Sequence, residues 1–293
     1  MPELKKIGFI GATGMLGLPV VQEMIKRNFE VVALCRDIIR AKMVLPPQVR
    51  IELGDLKNIS SIENFIKGLD AVYLNLSVTK KDSEKDFLTE REGLQNFIQI
   101  AQNYKLKRIF FISSLVMNYQ DINSFHWWVF DIKRSAVNKI KQSGIPYTIF
   151  YPSAFMENFF VNQKSGNKIL LAGKSRNKLY FISSKDYADM VCESLLIKDN
   201  SSKEYPAQGL NGYTMDEAAN IIIDNYKLEK LKPSRSPLFV LKFLAFFKKE
   251  FVYLSKIVEA LNEYPEKFIS ETTWKELGKP KISLKEFVKK LNP

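Results

Sequence analysis

The chain is short of the residues on which much catalytic and scaffold chemistry depends. Its 293 residues include one histidine, His126, and two cysteines, Cys35 and Cys192. A single histidine cannot anchor a His-rich metal cluster, and no other ligand spacing stands out, so no metal is expected. A Ser-His-Asp hydrolase would have to use His126, and no GxSxG elbow accompanies it. Two cysteines make no disulfide framework and read as buried thiols of a reducing compartment. No apolar run approaches the roughly 20 residues that span a bilayer. Met1–Lys6 lacks an apolar targeting core, so a cytoplasmic location is expected. Repeats and low-complexity stretches are missing as well.

What is present is ordinary globular material, 46% apolar and 26% charged, long enough for one large α/β domain or a nucleotide domain with a smaller lobe. The net charge of +12 is scattered and no basic block reaches five residues. That pattern fits a solvated basic surface that also attracts anionic ligands, and no nucleic-acid partner is expected.

Short apolar runs alternate with helical spacings. Lys5–Ile10, Glu30–Leu34, Val49–Leu53, Asp70–Leu76, Lys107–Ser113 and Tyr147–Tyr151 read as strands. Met15–Arg27, Ile59–Lys67, Asp82–Tyr104 and His126–Ser143 read as helices, the last closed by Gly144. Strict alternation with continuously apolar strands predicts a doubly wound parallel sheet covered by helices on both faces. Beyond about residue 155 the regularity weakens. Lys168–Leu171, Leu179–Ile182 and Lys203–Gln208 are candidate strands. Ser183–Ile197, Thr214–Tyr226, Pro237–Leu261 and Leu284–Leu291 are candidate helices. The expected division is a nucleotide-binding domain over 1–155, with later strand contributions from about 179–208, and a smaller, mostly helical lobe over 156–293.

Gly11-Ala-Thr-Gly-Met-Leu-Gly17 lies between a predicted strand and a predicted helix, the context in which a glycine motif carries weight. Glycine permits a tight turn and close backbone approach, and the helix N-terminus then offers N–H groups to a pyrophosphate. Gly11, Thr13, Gly14, Met15, Leu16 and Gly17 are therefore candidate dinucleotide contacts. The spacing is GxxGxxG rather than GxGxxG. Arg36 stands after the second strand, about 20 residues past the loop, where an acid would select NAD by its ribose hydroxyl. Arginine instead suits a 2′-phosphate, so NADP(H) is expected over NAD(H). The neighbouring Asp37 pulls the other way. Asp55 and Leu56 follow the third strand, where the acid either accepts from an adenine amino group or caps the next helix. Asn75, Leu76 and Ser77 end the fourth strand, at the edge of the ligand crevice.

GATGMLG at 11–17, Arg36-Asp37, Gly54-Asp55-Leu56, SGIPYTIFYPSAFMENF at 143–159 and FISSKDYADM at 181–190 resemble the NmrA-like, atypical branch of the short-chain dehydrogenase/reductase superfamily. The resemblance covers about the first two thirds of the chain and implies a Rossmann fold. It also implies that Lys133 occupies the active-site lysine position, binding the nicotinamide ribose. The tyrosine expected four residues earlier is Val129, which cannot move a proton. Ser113 or Ser114 stands near the usual serine position. Tyr151 replaces the arginine of the family's "RP" pair, and either Tyr151 or Tyr119 is a candidate to face the nicotinamide pocket. Pro152 and Phe155 are candidate cofactor contacts, and Phe155, Met156 and Asn158 are either substrate wall or packing. His126, Trp127 and Trp128 are either core or an aromatic lid.

Pro237–Leu254 is read first as a buried helix of the C-terminal lobe. An apolar pocket or oligomer face is one alternative. A membrane-surface helix, with Lys242, Lys248 and Lys249 at the headgroups, is the least expected.

The functional expectation is an NADP(H)-dependent oxidoreductase acting on a small apolar carbonyl, quinone or activated alkene, with Lys133 and Tyr151 as catalytic candidates. The alternatives are a non-catalytic redox sensor that binds a dinucleotide and a protein partner, and a nucleotide-sugar epimerase or dehydratase. The oligomeric state stays open.

Overall fold

The computed structural model describes residues 4–292. Ten strands occur in these residues: β1 (Lys6–Ile10), β2 (Glu30–Cys35), β3 (Arg50–Leu53), β4 (Ala71–Leu74), β5 (Arg108–Ile112), β6 (Tyr147–Pro152), β7 (Lys164–Ser165), β8 (Lys168–Ala172), β9 (Lys203–Ala207) and β10 (Lys232–Ser236). Seven of them form an all-parallel sheet in the order β3-β2-β1-β4-β5-β6-β9. The direction of winding reverses between β1 and β4, which opens a crevice at the carboxyl ends of those strands.

The continuous apolarity of the strands follows from burial on both faces. In β4, Ala71 and Tyr73 enter one core while Val72 and Leu74 enter the other. In β5, Phe110 and Ile112 point one way and Ile109 and Phe111 the other. On the first face lie α1 (Gly17–Lys26), α2 (Ile38–Val44) and, packed on α1, α7 (Ser184–Leu196). On the second lie α3 (Ile59–Ile66), α4 (Leu94–Asn103) and α5 (Trp128–Gln142). Cys35 and Cys192 are free and buried in the first core.

The later chain returns to this sheet through β9 and adds a second sheet, β10-β8-β7, with β8 parallel to β10 and antiparallel to β7. The later helices are α6 (Asn158–Val161), α8 (Met215–Asn225), α9 (Leu238–Leu244), α10 (Lys249–Glu263), α11 (Glu271–Leu277) and α12 (Leu284–Leu291); α6 and α8 pack on the second sheet, α12 on α8, and α11 on α7 and β9 of the first. Of the expected strand Leu179–Ile182, only bridges form, Phe155 to Ile182 and Leu179 to Tyr213.

Three expected helices are changed by local chemistry. The helix expected over Asp82–Tyr104 is replaced in its first part by side-chain turns, with Asp82 accepting from Thr79 N and Asp86 from Ser83 N, each at 2.7 Å. Such bonds compete with the helical ladder. A π-helical turn, Thr89–Gly93, then leads into α4. The helix expected from His126 begins at Trp128, because Trp127 N donates to the Gln120 side chain. Over Pro237–Leu261 the chain makes two helices joined by an elbow.

The buried helix expected in Pro237–Leu254 is not found. No residue of α9 is buried. Leu238, Leu241 and Leu244 are half-buried, with α10 the principal neighbour, while the phenylalanines between them face outward.

Asp186 of α7 ties the C-terminal segment to the sheet core. It is buried, and accepts from Ser183 Oγ (2.8 Å), Lys281 N (2.9 Å) and Ile282 N (3.1 Å). Asp186→Ala removes charge-assisted bonds and leaves the buried Ile282 amide and the part-buried Lys281 amide without that acceptor. The expected loss is about 3 kcal/mol, to be read from urea unfolding. A loss below about 1 kcal/mol would contradict this role.

Candidate dinucleotide site

The glycine loop sits where the winding reverses. Gly11, with φ +85°, turns the chain out of β1. Asn75 at the end of β4 donates its N–H to Ile10 O at 2.9 Å and returns its side-chain amide to Gly11 O at 3.1 Å. A Cβ on Gly11 would lie 2.3 Å from Asn75 O, and one on Gly17 would lie 2.1 Å from Gly11 O. Both glycines are therefore required by backbone packing, and Gly11 by the turn as well. Thr13, Met15 and Leu16 are half-buried and Gly14 is exposed. Helix α1 opens at Leu16 with no side-chain cap and no acid in its first turn. Its positive end is thus left for an outside anion, and the close-packed loop fits a pyrophosphate.

Arg36 is exposed at the end of β2 and makes no ion pair or hydrogen bond among the described residues. Asp37 is committed locally, because it is the N-cap of α2 and accepts from Arg40 N at 2.9 Å. The acid that complicated the sequence reading is therefore a helix cap, and the free guanidinium is what faces solvent. The capping role considered for Asp55 belongs to Asn58, which caps α3. Asp55 accepts from Lys57 N at 2.9 Å. Leu56 packs in the core and its carbonyl takes Asn96 Nδ2. Leu76 is buried, and the exposed Ser77 bonds Val78 O.

Lys133 projects from α5 to Glu90 in the π-helical turn. Its Nζ lies 3.0 and 3.2 Å from the two carboxylate oxygens. Glu90 is fully buried and also accepts from the backbone of Val78, just past β4. Burial pushes the Glu90 carboxyl above its ordinary range, and the Lys133 charge opposes that shift. The ammonium has three donors, so at least one stays available after both contacts. Val129, one turn earlier, is buried.

The other candidates are scattered. Ser113 is buried, with its hydroxyl 3.3 Å from Met117 Sδ. Tyr151 donates to Glu204 of β9 at 2.6 Å, and Glu204 also pairs with Lys141. Burial, and then this carboxylate, raise the Tyr151 pKa. Pro152 and Met156 are buried, and Phe155 packs edge-on against Tyr187 in the core. Asn158 opens α6 and accepts from Asn162. Tyr119 is buried against Phe125. Trp127 is core, in contact with Phe130 and edge-on to Tyr253 of α10, while His126 is exposed between Asp121 and Asp131. The structure thus gathers the glycine loop and Asn75, and links Lys133 to the end of β4 through Glu90. It leaves the Tyr151 hydroxyl on β9. Glu90 was not singled out in the sequence, where it is one acid among several between Asp82 and Glu92.

A family model described as NAD(P)H-binding matches residues 11–197, so the chain belongs to that family. By sequence it is similar to the photosystem II assembly factor Ycf39 of Trieres chinensis, at 25% identity over 242 residues, which is 80% of this chain and 73% of that one. In fold it is similar to the Citrobacter sp. triphenylmethane reductase complexed with NADP(H). The TM-score is 0.76 at 20% identity, over 97% of this chain and 99% of that one. It is also similar to an NADPH-dependent quinone oxidoreductase of Escherichia coli, with TM-score 0.75 at 18% identity over 98% and 100% of the two chains. At these identities the solved structures establish the fold.

Two predictions follow from the geometry. Gly11→Ala forces Asn75 away from the loop, so NADPH affinity falls by at least about tenfold, measured by fluorescence titration. Lys133→Met strands a buried carboxylate and costs about 3 kcal/mol at neutral pH. The sign with pH is set by Glu90, whose folded pKa lies above the ordinary 4.5. The folded state then holds its proton more tightly than the unfolded state, so the Glu90 contribution to stability declines as pH rises above that value. Without Lys133 the pKa rises further. The deficit of Lys133→Met is therefore smallest near pH 4.5 and grows toward neutrality. A pH-independent deficit in urea unfolding would contradict the pairing.

Proposed function

We propose that this protein binds NADP(H) in preference to NAD(H) and is an oxidoreductase for a small apolar acceptor, a quinone before a carbonyl or an activated alkene. The observation that carries the reading is a dinucleotide cradle together with a lysine that Glu90 ties to the segment after β4, with buried Val129 where a tyrosine would deliver a proton. NADPH, when bound, supplies a hydride. The loop Gly11–Gly17 holds the pyrophosphate, with Asn75 keeping it in shape. Arg36 forks onto the 2′-phosphate, and its freedom from internal partners supports that role. The remaining N–H of Lys133 orients the ribose. Donation from Tyr151 would first require breaking its bond to Glu204. A reduced quinone needs no protein acid, because its oxyanion takes a proton from solvent. Alcohol or sugar chemistry lacks that escape, which places an epimerase or dehydratase lower. The quinone oxidoreductase and triphenylmethane reductase of like fold support the choice of acceptor.

One observation favours a second reading. The curated relatives that align along most of the chain are named assembly factors, and a non-catalytic protein that binds NADP(H) and a protein partner would tolerate both Val129 and a Lys133 held by Glu90.

The test is NADPH oxidation by the purified protein against quinones, aldehydes and enals, with NADPH binding measured on the same sample. Turnover with quinones that falls by at least about tenfold in Lys133→Met supports the first reading. Tight binding without turnover on any acceptor supports the second. Arg36→Glu is expected to weaken NADPH binding by about 10- to 100-fold and leave NADH binding nearly unchanged. Retained NADPH affinity would overturn the cofactor preference.

A further inference from the structure

The elbow that joins α9 to α10 exposes more apolar surface than any packing role explains. Phe239, Phe243, Phe246 and Phe247 are 69%, 59%, 86% and 71% exposed. The Phe243 and Phe247 rings meet edge-on at 5.4 Å, with Phe239 one turn before Phe243 on α9 and Phe246 next to Phe247 in the chain. Contiguous apolar patches of this kind mark interaction sites.

The elbow is braced from behind. In α10, Tyr253 packs edge-on against buried Trp127, and Lys256 donates to His126 O and lies over the Phe125 ring. Lys242 pairs with Glu259 across the two helices. The rings are therefore presented by a fixed pair of helices. Their exposure is a property of the folded chain.

Charge decides what the cluster meets. Lys248 and Lys249 follow Phe247 directly, are exposed, and make no ion pair among the described residues. A second copy stacked on the same face would bring these cations together, which disfavours self-association. An anionic surface would attract them while the rings enter an apolar layer.

We propose that the α9–α10 elbow is a docking site for an anionic lipid surface, with the four phenylalanines seated at the acyl boundary and Lys248 and Lys249 at the headgroups. The proposal stands independently of whether the protein is an enzyme.

The test is co-sedimentation of the purified full chain with vesicles of phosphatidylcholine alone or mixed with phosphatidylglycerol. The expected result is binding to the mixed vesicles that weakens as salt is raised, and weaker binding to phosphatidylcholine alone. The double variant Phe246→Ser/Phe247→Ser is expected to lower affinity for the mixed vesicles by roughly tenfold or more. Lys248→Glu/Lys249→Glu should remove the preference for phosphatidylglycerol. Both variants should melt and bind NADPH as the parent does, since all four side chains are exposed. Failure to sediment with the mixed vesicles overturns the proposal, as does equal binding by the parent and both variants. A dimer by light scattering that dissociates in the phenylalanine variant also overturns it, and would make the elbow an interface between copies.

Discussion

The reach of Asn75 to the Gly11 carbonyl, across the point where the sheet changes its winding direction, constrains everything at the candidate site. It fastens the end of β4 to the turn leaving β1, and leaves no room for a Cβ at Gly11 or Gly17. Helix α1 can then start directly under the loop with no side chain capping its positive end. The cradle is thus a consequence of how two adjacent parallel strands must end. It does not depend on any charged side chain, which is consistent with the loop itself bearing none.

Charge enters the site in two places, and the two are handled oppositely. Arg36 has no side-chain partner among the described residues, while its neighbour Asp37 is spent on a helix cap. Lys133 is bound to a buried carboxylate that the backbone of Val78 also holds. Burying a pair costs more than exposing it, and such a pair is weak evidence for stability alone. What it fixes is position, since Glu90 joins α5, the π-helical turn and the strand end of β4. A lysine held this way cannot swing out as a mobile acid. It remains a fixed cation, suited to orienting a bound group, and this is why the proposed chemistry relies on an acceptor that finds its own proton.

Much of this was legible in the sequence wherever burial on both faces of a sheet made strands continuously apolar. The strands β1 to β6 and the glycine loop are of that kind, and Arg36 and Asn75 were singled out by the strand ends they follow, whereas Lys133 was singled out by resemblance alone. Side-chain competition was harder to read. Asp82 and Asp86 look like residues of an amphipathic helix by spacing, and only the turn bonds to Thr79 and Ser83 reveal why the helix starts late. Glu90 was illegible because its importance lies in a contact 43 residues away. Tyr151 was placed near the pocket by resemblance, whereas its hydroxyl is directed by Glu204 on β9, a strand that arrives fifty residues later in the chain. Each of these depends on a long-range partner that periodicity cannot carry.

The apolar stretch after Pro237 teaches a different lesson about hydrophobicity. A run rich in leucine and phenylalanine is normally spent on a core, and spacing alone assigns it there. In this chain the leucines of α9 are spent only in part, against α10, and the phenylalanines are not spent at all. Trp127 and Tyr253 show where the boundary lies: α10 closes over the core at that contact, whereas no residue of α9 is buried. An exposed cluster that survives in an otherwise well-packed fold is then the residue of packing already completed. Because α10 also rests on the segment leading into the Lys133 helix, a surface engaging the elbow would press on the same side of the molecule that carries the fixed lysine.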